Sequence, residues 1–150
     1  MEIFIDRITE NVDETLHLGE ELADILKERG SAFVAMYGDL GTGKTAFVRG
    51  FCSRLCPDER VFSPTFAIIN EYTGGDIPVY HFDVYRITDD DDLYSTGFYE
   101  YLDREDGIIL CEWSENIPYA IPSERIEVRI EKCDPDKYPD RRRIRINEFV

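Results

Sequence analysis

Apolar and polar positions alternate along this chain with two different periods, and the switches between them predict the order of its elements. An apolar residue at every third or fourth position predicts a helix, whereas an uninterrupted short apolar run predicts a buried strand. In the first half this pattern predicts a strand over 2–8, a helix from Asn11 or Asp13 to about Arg29, a buried strand over 32–37 and a helix from Lys44 to about Leu55, before Pro57.

The second half is predicted to contain more strands than helices. The expected elements are a hairpin of strands 66–72 and 79–83, a helix starting within 89–92, a short helix over 98–104, a buried strand over 108–111, and an alternating, solvent-faced hairpin of 126–130 and 143–146 at the sheet edge. Strands and helices are mixed and no linker divides them, so we expect one α/β domain over 1–150.

Composition narrows the classes of function. The 17 basic residues against 32 acidic ones give a net charge of −15, which argues against a protein that grips a nucleic-acid backbone or an anionic membrane. The four cysteines (Cys52, Cys56, Cys111 and Cys133) lack the spacing of a zinc site and are expected to be free, mostly buried thiols. With no targeting segment or membrane-spanning run in sight, a cytoplasmic protein is expected.

A phosphate-binding loop is the strongest motif. Residues 38–45, GDLGTGKT, fit the pattern G-x-x-x-x-G-K-[ST] between a predicted buried strand and a predicted helix. Glycines let the backbone N–H groups converge on phosphate oxygens, and the helix directs its positive end at the same anion. Lys44 would reach the β- and γ-phosphates, and the Thr45 hydroxyl would bind Mg²⁺.

Two strand-end carboxylates are candidates for the metal-binding partner of this loop. Glu112 follows the apolar run 108–111, and Asp83 ends the strand 79–83. Strand ends beside the phosphate-binding strand line the ligand crevice of such folds, so both are expected near the phosphates.

Other features carry weaker signals, each with an ordinary alternative. The hydroxyls of 63–65 suit either a γ-phosphate sensor or a simple turn, and Trp113 suits either a partner contact or the core. For His81, packing or a partner contact is favoured over a metal site. The acidic run 89–92 is interpreted as a solvated helix start, and the basic block of 141–143 with Arg145 as an exposed strand end.

The reaction class follows from what the sequence lacks. No N-K-x-D element is present, which favours ATP over GTP. The length leaves no room for a lid domain, which disfavours a small-molecule kinase without eliminating it. Because no Gln or Arg is placed as a finger, we expect slow hydrolysis completed by a partner, and a nucleotide-dependent binding module that never hydrolyses ATP stays open as well.

Several motifs in this order resemble the TsaE (YjeE) family, small bacterial ATPases required for the threonylcarbamoyladenosine modification of tRNA. The matching segments are TLHLG at 15–19, GDLGTGKT at 38–45, Phe47, RGF at 49–51, SPTF at 63–66, YHFDVYR at 80–86, GF at 97–98 and EWSE at 112–115. The resemblance spans roughly residues 5–130, with Val84 where leucine is usual and Ala67 where threonine is common.

The resemblance implies a P-loop NTPase-type three-layer fold with a mixed central β-sheet, ATP bound with Mg²⁺, and catalysis by Lys44, Asp83 and Glu112. Thr45 and Glu112 would hold the metal, Asp83 would face the γ-phosphate side and Thr65 would act as a sensor. The implied nucleotide site comprises Val12, Thr15, Gly38, Asp39, Leu40, Gly41, Thr42, Gly43, Lys44, Thr45, Ala46, Thr65 and Asp83.

The resemblance also implies partners. The family works with a TsaB–TsaD transferase complex that modifies adenosine 37 of tRNA, so tRNA would be met only indirectly. ATP hydrolysis by this subunit would reset the transferase between turnovers, without transferring the threonylcarbamoyl group itself.

Overall fold

The secondary structure follows the predicted order closely. A computed structural model describes residues 2–38, 43–57 and 69–150. Its elements are β1 (Phe4–Thr9), α1 (Val12–Lys27), β2 (Ala32–Tyr37), α2 (Lys44–Leu55), β3 (Ile69–Tyr72), β4 (Val79–Asp83), α3 (Asp90–Ser95), α4 (Phe98–Arg104), β5 (Ile108–Glu112), two 3₁₀ turns (Ser114–Asn116 and Pro118–Ala120), β6 (Arg125–Lys132) and β7 (Arg142–Phe149). The predicted strand 66–72 is confirmed over its last four residues, and 66–68 lie outside the described ranges.

Within the described ranges, seven strands form one mixed sheet, which confirms the predicted fold class. Their order is β1-β7-β6-β2-β5-β4-β3. The four neighbours β6, β2, β5 and β4 run parallel to one another, whereas β1, β7 and β3 are antiparallel to the strands they pair with. The carboxyl ends of the four parallel strands therefore meet at one edge of the sheet, where α/β proteins hold their ligands.

The predicted position of the C-terminal hairpin at the sheet edge is wrong. β1 pairs antiparallel with β7, and β6 joins the hairpin to β2, so the edge belongs to β1. Alternation along a strand determines which face is buried but carries no information on its neighbours. The expected solvent-facing side is confirmed at Arg143 and Arg145, which project from it and pair with Asp6 and Glu131, but Glu127 on the same side is buried.

Apolar side chains pack on both faces of the sheet and give it three layers. On one face α1 and α2 cover β2, β5, β6 and β7; on the other, α3 and α4 cover β2, β4 and β5. The two helices of the first face approach closely, since a Cβ on Gly19 would lie 2.2 Å from the Phe47 carbonyl oxygen and one on Gly50 would lie 2.0 Å from that of Leu16. Three of the four cysteines are buried, as predicted, and Cys133 is half-buried.

Helix ends are defined by local signals. Asn11 caps α1 by accepting a hydrogen bond from the Glu14 N–H at 2.9 Å, and Asp89 caps α3 by accepting one from the Asp92 N–H at 2.8 Å. Within the described ranges, no helix is long and apolar enough to cross a bilayer.

Candidate functional site

Lys44, the first residue of α2, lies at the end of the loop that follows β2. Its side chain is buried, with 6% exposure. The ammonium Nζ donates a hydrogen bond to the Gly38 carbonyl oxygen at 2.5 Å and lies 3.8 Å from the centre of the Trp113 ring. The lysine thus lies at the carboxyl end of β2, between the start of the loop and the residue after β5.

Gly43 connects the loop to α2 in a conformation that favours glycine. Its φ is +100°, in the left-handed region, where a side chain would be strained. The following residues, Thr45 (exposed) and Ala46 (half-buried), form the first turn of α2, where backbone N–H groups have no partner within the helix. The candidate residues Asp39, Leu40, Gly41 and Thr42, and Thr65 with its loop, lie outside the described ranges.

The two predicted carboxylates are brought together. Asp83 and Glu112 are direct register partners at the carboxyl ends of the parallel strands β4 and β5. Glu112 is buried, with 3% exposure, whereas Asp83 is half-buried. Asp83 also accepts a hydrogen bond from the Tyr85 N–H at 3.0 Å, which orients its carboxyl group.

Burial raises the pKa of Asp83 above its ordinary value. The neighbouring charge of Glu112 raises this pKa further, and the Tyr85 N–H, His81 and Lys44 oppose the shift. The lysine is close enough to act on Asp83, so charge interaction links the two candidate groups. A carboxyl group whose pKa is raised in this way is a stronger base than one in water.

A buried histidine contacts the second carboxylate. His81 Nε2 lies 2.5 Å from Glu112 Oε2, and the two side chains are 1% and 4% exposed. His81 is thus a core residue, as the packing interpretation predicts, but it is bonded to Glu112 and not to Asp83, with which it shares a strand face.

The rings of Trp113 and Tyr85 pack against each other, and Trp113 lies beside Lys44. Their ring centres are 4.8 Å apart, and Tyr85 is 52% exposed. The Asn116 amide donates to the carbonyl oxygens of Val84 at 3.2 Å and Tyr85 at 3.1 Å, which connects the segment after β4 to the turn after β5. Trp113 therefore packs partly against the core, as one of its two predicted roles requires, and also contacts Lys44, whereas its predicted partner contact stays a prediction.

The start of α1 reaches the same region. Thr15 is buried and shares a 2.8 Å hydrogen bond with Thr9 of β1, and its Cγ2 methyl lies 3.8 Å from the position a Cβ on Gly43 would take. Val12, one turn earlier, is 53% exposed. The structure therefore brings Thr15 against the end of the phosphate-loop motif and places Val12 at the surface of the same helix turn.

Arg142 lies beside the candidate site, although the sequence predicts an exposed strand end for its block, 141–143. Its Nε lies 3.8 Å from the same hypothetical Cβ on Gly43, and its Nη1 donates to the Pro139 carbonyl oxygen at 2.7 Å. The alternation of β7 indicates this position, because Arg142 shares a strand face with Ile144 and Ile146. That is the face that α1 and α2 cover. Its neighbour Arg143 points the opposite way, to Asp6.

These groups fit a magnesium nucleotide. Mg²⁺ is usually held by one or two carboxylates together with phosphate oxygens and waters, not by a cage of protein ligands. Glu112, Asp83 and the Thr45 hydroxyl supply such oxygens, and no cluster of three or more His, Cys, Asp or Glu side chains suited to a metal occurs in the described part of the chain. The Lys44 ammonium and the N-terminus of α2 supply positive charge for phosphate.

Comparison with known sequences identifies the family. Residues 9–144 match the family described as "Threonylcarbamoyl adenosine biosynthesis protein TsaE". The chain is 37% identical over 131 residues to the tRNA threonylcarbamoyladenosine biosynthesis protein TsaE of Rickettsia felis, a match that covers 87% of this chain and 74% of the relative. It is also 37% identical over 129 residues to the protein of the same name from Bacillus subtilis, covering 86% of this chain and 78% of the relative.

A solved structure is similar over the whole chain. The crystal structure of Bacillus subtilis YdiB superimposes with a TM-score of 0.75 at 31% sequence identity, and the match covers 100% of this chain and 88% of that one.

Proposed function

This chain belongs to the TsaE family of threonylcarbamoyl adenosine biosynthesis proteins, and we propose that its part in that pathway is to bind ATP with Mg²⁺ and hydrolyse it. The observation that carries the proposal is that three groups lie close together at the carboxyl ends of the parallel strands. Lys44 begins α2 after β2, and Asp83 and Glu112 end the two strands on one side of β2.

We further propose a direction for the bound nucleotide, which the sheet order supports. The carboxylates lie on the β5–β4 side of the loop, whereas Thr15 and Arg142 lie beside Gly43 on the side of α1 and β7. The γ-phosphate therefore faces the carboxylates, and the nucleoside extends towards Thr15 and Arg142. An arginine there can stack on a purine base or bind its ribose.

Each site residue has a defined task in this proposal. The ammonium of Lys44 leaves the Gly38 carbonyl for the β- and γ-phosphates. Thr45 and Glu112 would hold Mg²⁺, which when bound neutralises charge on the phosphates. Asp83, whose pKa is raised by burial, accepts a hydrogen bond from the attacking water and orients it.

The partner is the second part of the proposal. Among the described residues, no arginine forms a hydrogen bond or an ion pair with Asp83 or Glu112. In other NTPases an arginine supplied by a partner protein accelerates phosphate transfer, and this arrangement suits completion of the site in the same way. We propose that a TsaB–TsaD-like transferase complex in the cytoplasm completes the site. The net charge of −15 fits a subunit that meets protein and leaves tRNA to its partner.

Substitution of Glu112 separates binding from hydrolysis. Glu112→Ala should retain nucleotide binding and lose ATP hydrolysis, because the metal-binding carboxylate is gone while Lys44 remains. Glu115→Ala is the matched control, since this exposed glutamate lies three residues further on. Full hydrolysis by Glu112→Ala would remove Glu112 from the metal site. Phosphate appearing on an added metabolite would instead identify a small-molecule kinase.

A further inference from the structure

The buried contact between His81 and Glu112 suggests a role for the histidine that the sequence motifs do not assign. His81 lies in the middle of β4, opposite Leu110 of β5, and Glu112 lies two residues further along β5. The imidazole therefore lies below the carboxylate, further from the crevice. Both side chains are almost completely buried, and their polar atoms are 2.5 Å apart.

The hydrogen-bond partners determine which ring nitrogen carries the proton. A glutamate that binds a metal is ionised and only accepts hydrogen bonds, so in the proposed site Nε2 is the donor. Nδ1 is buried and has no hydrogen-bond partner among the described residues, and the Tyr72 ring packs beside the imidazole with its centre 6.2 Å away. Among the described residues, the hydrogen bond of the His81 side chain is therefore made to Glu112.

We propose that His81 is a positioning residue that holds the Glu112 carboxylate in the orientation the metal site needs. The hydrogen bond holds Oε2 towards the imidazole, so that Oε1 of the fixed carboxylate can face Mg²⁺. A glutamate has three rotatable bonds, and fixing them before the metal arrives lowers the entropic cost of coordination. The proposal rests on the proposed function, because it assumes that Glu112 binds the metal.

Substitutions that differ in reach test this idea. His81→Leu removes the donor and keeps an apolar side chain, whereas His81→Gln places an amide N–H near the position of Nε2. His81→Asn keeps the amide but shortens its reach. Tyr80→Phe is the control, because it removes a hydrogen bond to Asp106 from the same strand on the opposite face.

The readout is metal binding, measured apart from activity. Mn²⁺ replaces Mg²⁺, and the loss of the free-ion electron paramagnetic resonance signal gives the affinity of the protein–ADP complex for the ion. ADP affinity in EDTA is measured by calorimetry, and the melting temperature records the fold. Loss of an outer-sphere partner typically weakens metal binding by about 10- to 100-fold.

We expect His81→Leu and His81→Asn to weaken Mn²⁺ binding at least tenfold, with ADP affinity in EDTA within twofold of the parent. His81→Gln should recover Mn²⁺ affinity to within about threefold, and Tyr80→Phe should leave it unchanged. Unchanged Mn²⁺ affinity in a folded His81→Leu protein overturns the positioning role. Equal losses of Mn²⁺ affinity in the His81→Gln and His81→Asn proteins overturn it too. This second comparison decides the question if the His81→Leu protein fails to fold.

Failure of the proposed function gives a different pattern. If the parent protein binds no ADP, the proposed function is refuted. If Glu112→Gln leaves Mn²⁺ affinity unchanged, Glu112 is not a metal ligand, and both its part in the proposed function and the positioning role of His81 are refuted. If Glu112→Gln weakens Mn²⁺ binding and His81→Leu does not, only the positioning role is refuted.

Discussion

Replacing Lys44 with methionine should weaken ATP binding by about one to two orders of magnitude. Methionine keeps most of the length and apolar contact of the side chain but removes the ammonium. In the structure that ammonium is bonded to the Gly38 carbonyl oxygen at 2.5 Å and lies 3.8 Å from the Trp113 ring centre. ATP therefore competes with these contacts of Lys44.

The size of the effect follows from this exchange. Hydrogen bonds to charged groups each contribute about 1.5–3 kcal/mol. Moving from one carbonyl to two phosphate oxygens gains roughly one such bond, and leaving the Trp113 face costs about 0.5–1 kcal/mol. Adding the attraction between the ammonium and the triphosphate charge, the net contribution is about 1.5–3 kcal/mol, or about 10- to 100-fold in affinity.

Isothermal titration calorimetry with ATP and Mg²⁺ measures this directly. Lys27→Met is the matched control, since Lys27 lies exposed in the last turn of α1, away from the loop. The control should bind ATP as tightly as the parent protein. Affinity of the Lys44→Met protein within twofold of the parent would refute the assignment of Lys44 to the phosphates.

Three further predictions test the nucleoside side, the carboxylate and the fold. Arg142→Ala should weaken ATP binding about tenfold while leaving inorganic tripolyphosphate binding unchanged, and Arg143→Ala, which points to the other face, should change neither in calorimetry. Because burial raises the pKa of Asp83, its ionised form disfavours the folded state, so Asp83→Asn should melt at a higher temperature at pH 7. That gain should shrink as the pH falls towards 3.8 and below, where the aspartate is protonated in both states; a gain constant with pH contradicts the shift. Gly50→Ala should destabilise the protein by about 1–3 kcal/mol in urea unfolding, because the new Cβ meets the Leu16 carbonyl oxygen; unchanged stability would show that α1 can move aside.

The parts of this site that the sequence predicts are those encoded locally. The buried strand before Gly38, the helix beginning at Lys44, and the carboxylates after two apolar runs each depend on a few neighbouring residues. Parallel strands bring their carboxyl ends together, so Asp83 and Glu112 could be expected near each other before their register was known.

The features that the sequence does not predict depend on pairing between strands that are far apart along the chain. That β1 lies outside β7 follows from which strands form hydrogen bonds, and the alternation of 143–146 is the same at an edge and inside a sheet. The contact of His81 with Glu112 likewise requires the register of β4 on β5, which a one-residue slip would abolish. Arg142 reaches Gly43 only because β7 lies where it does.

The central claim is that this chain hydrolyses ATP at the site formed by Lys44, Asp83 and Glu112, and that its partner completes this site. The most direct measurement is the rate of phosphate release from ATP with and without purified TsaB–TsaD complex. We predict slow release by the protein alone, a marked increase with the complex, and no increase when Glu112→Ala replaces the parent. No hydrolysis by the parent protein even with the complex present would contradict the claim and leave a nucleotide-dependent binding module.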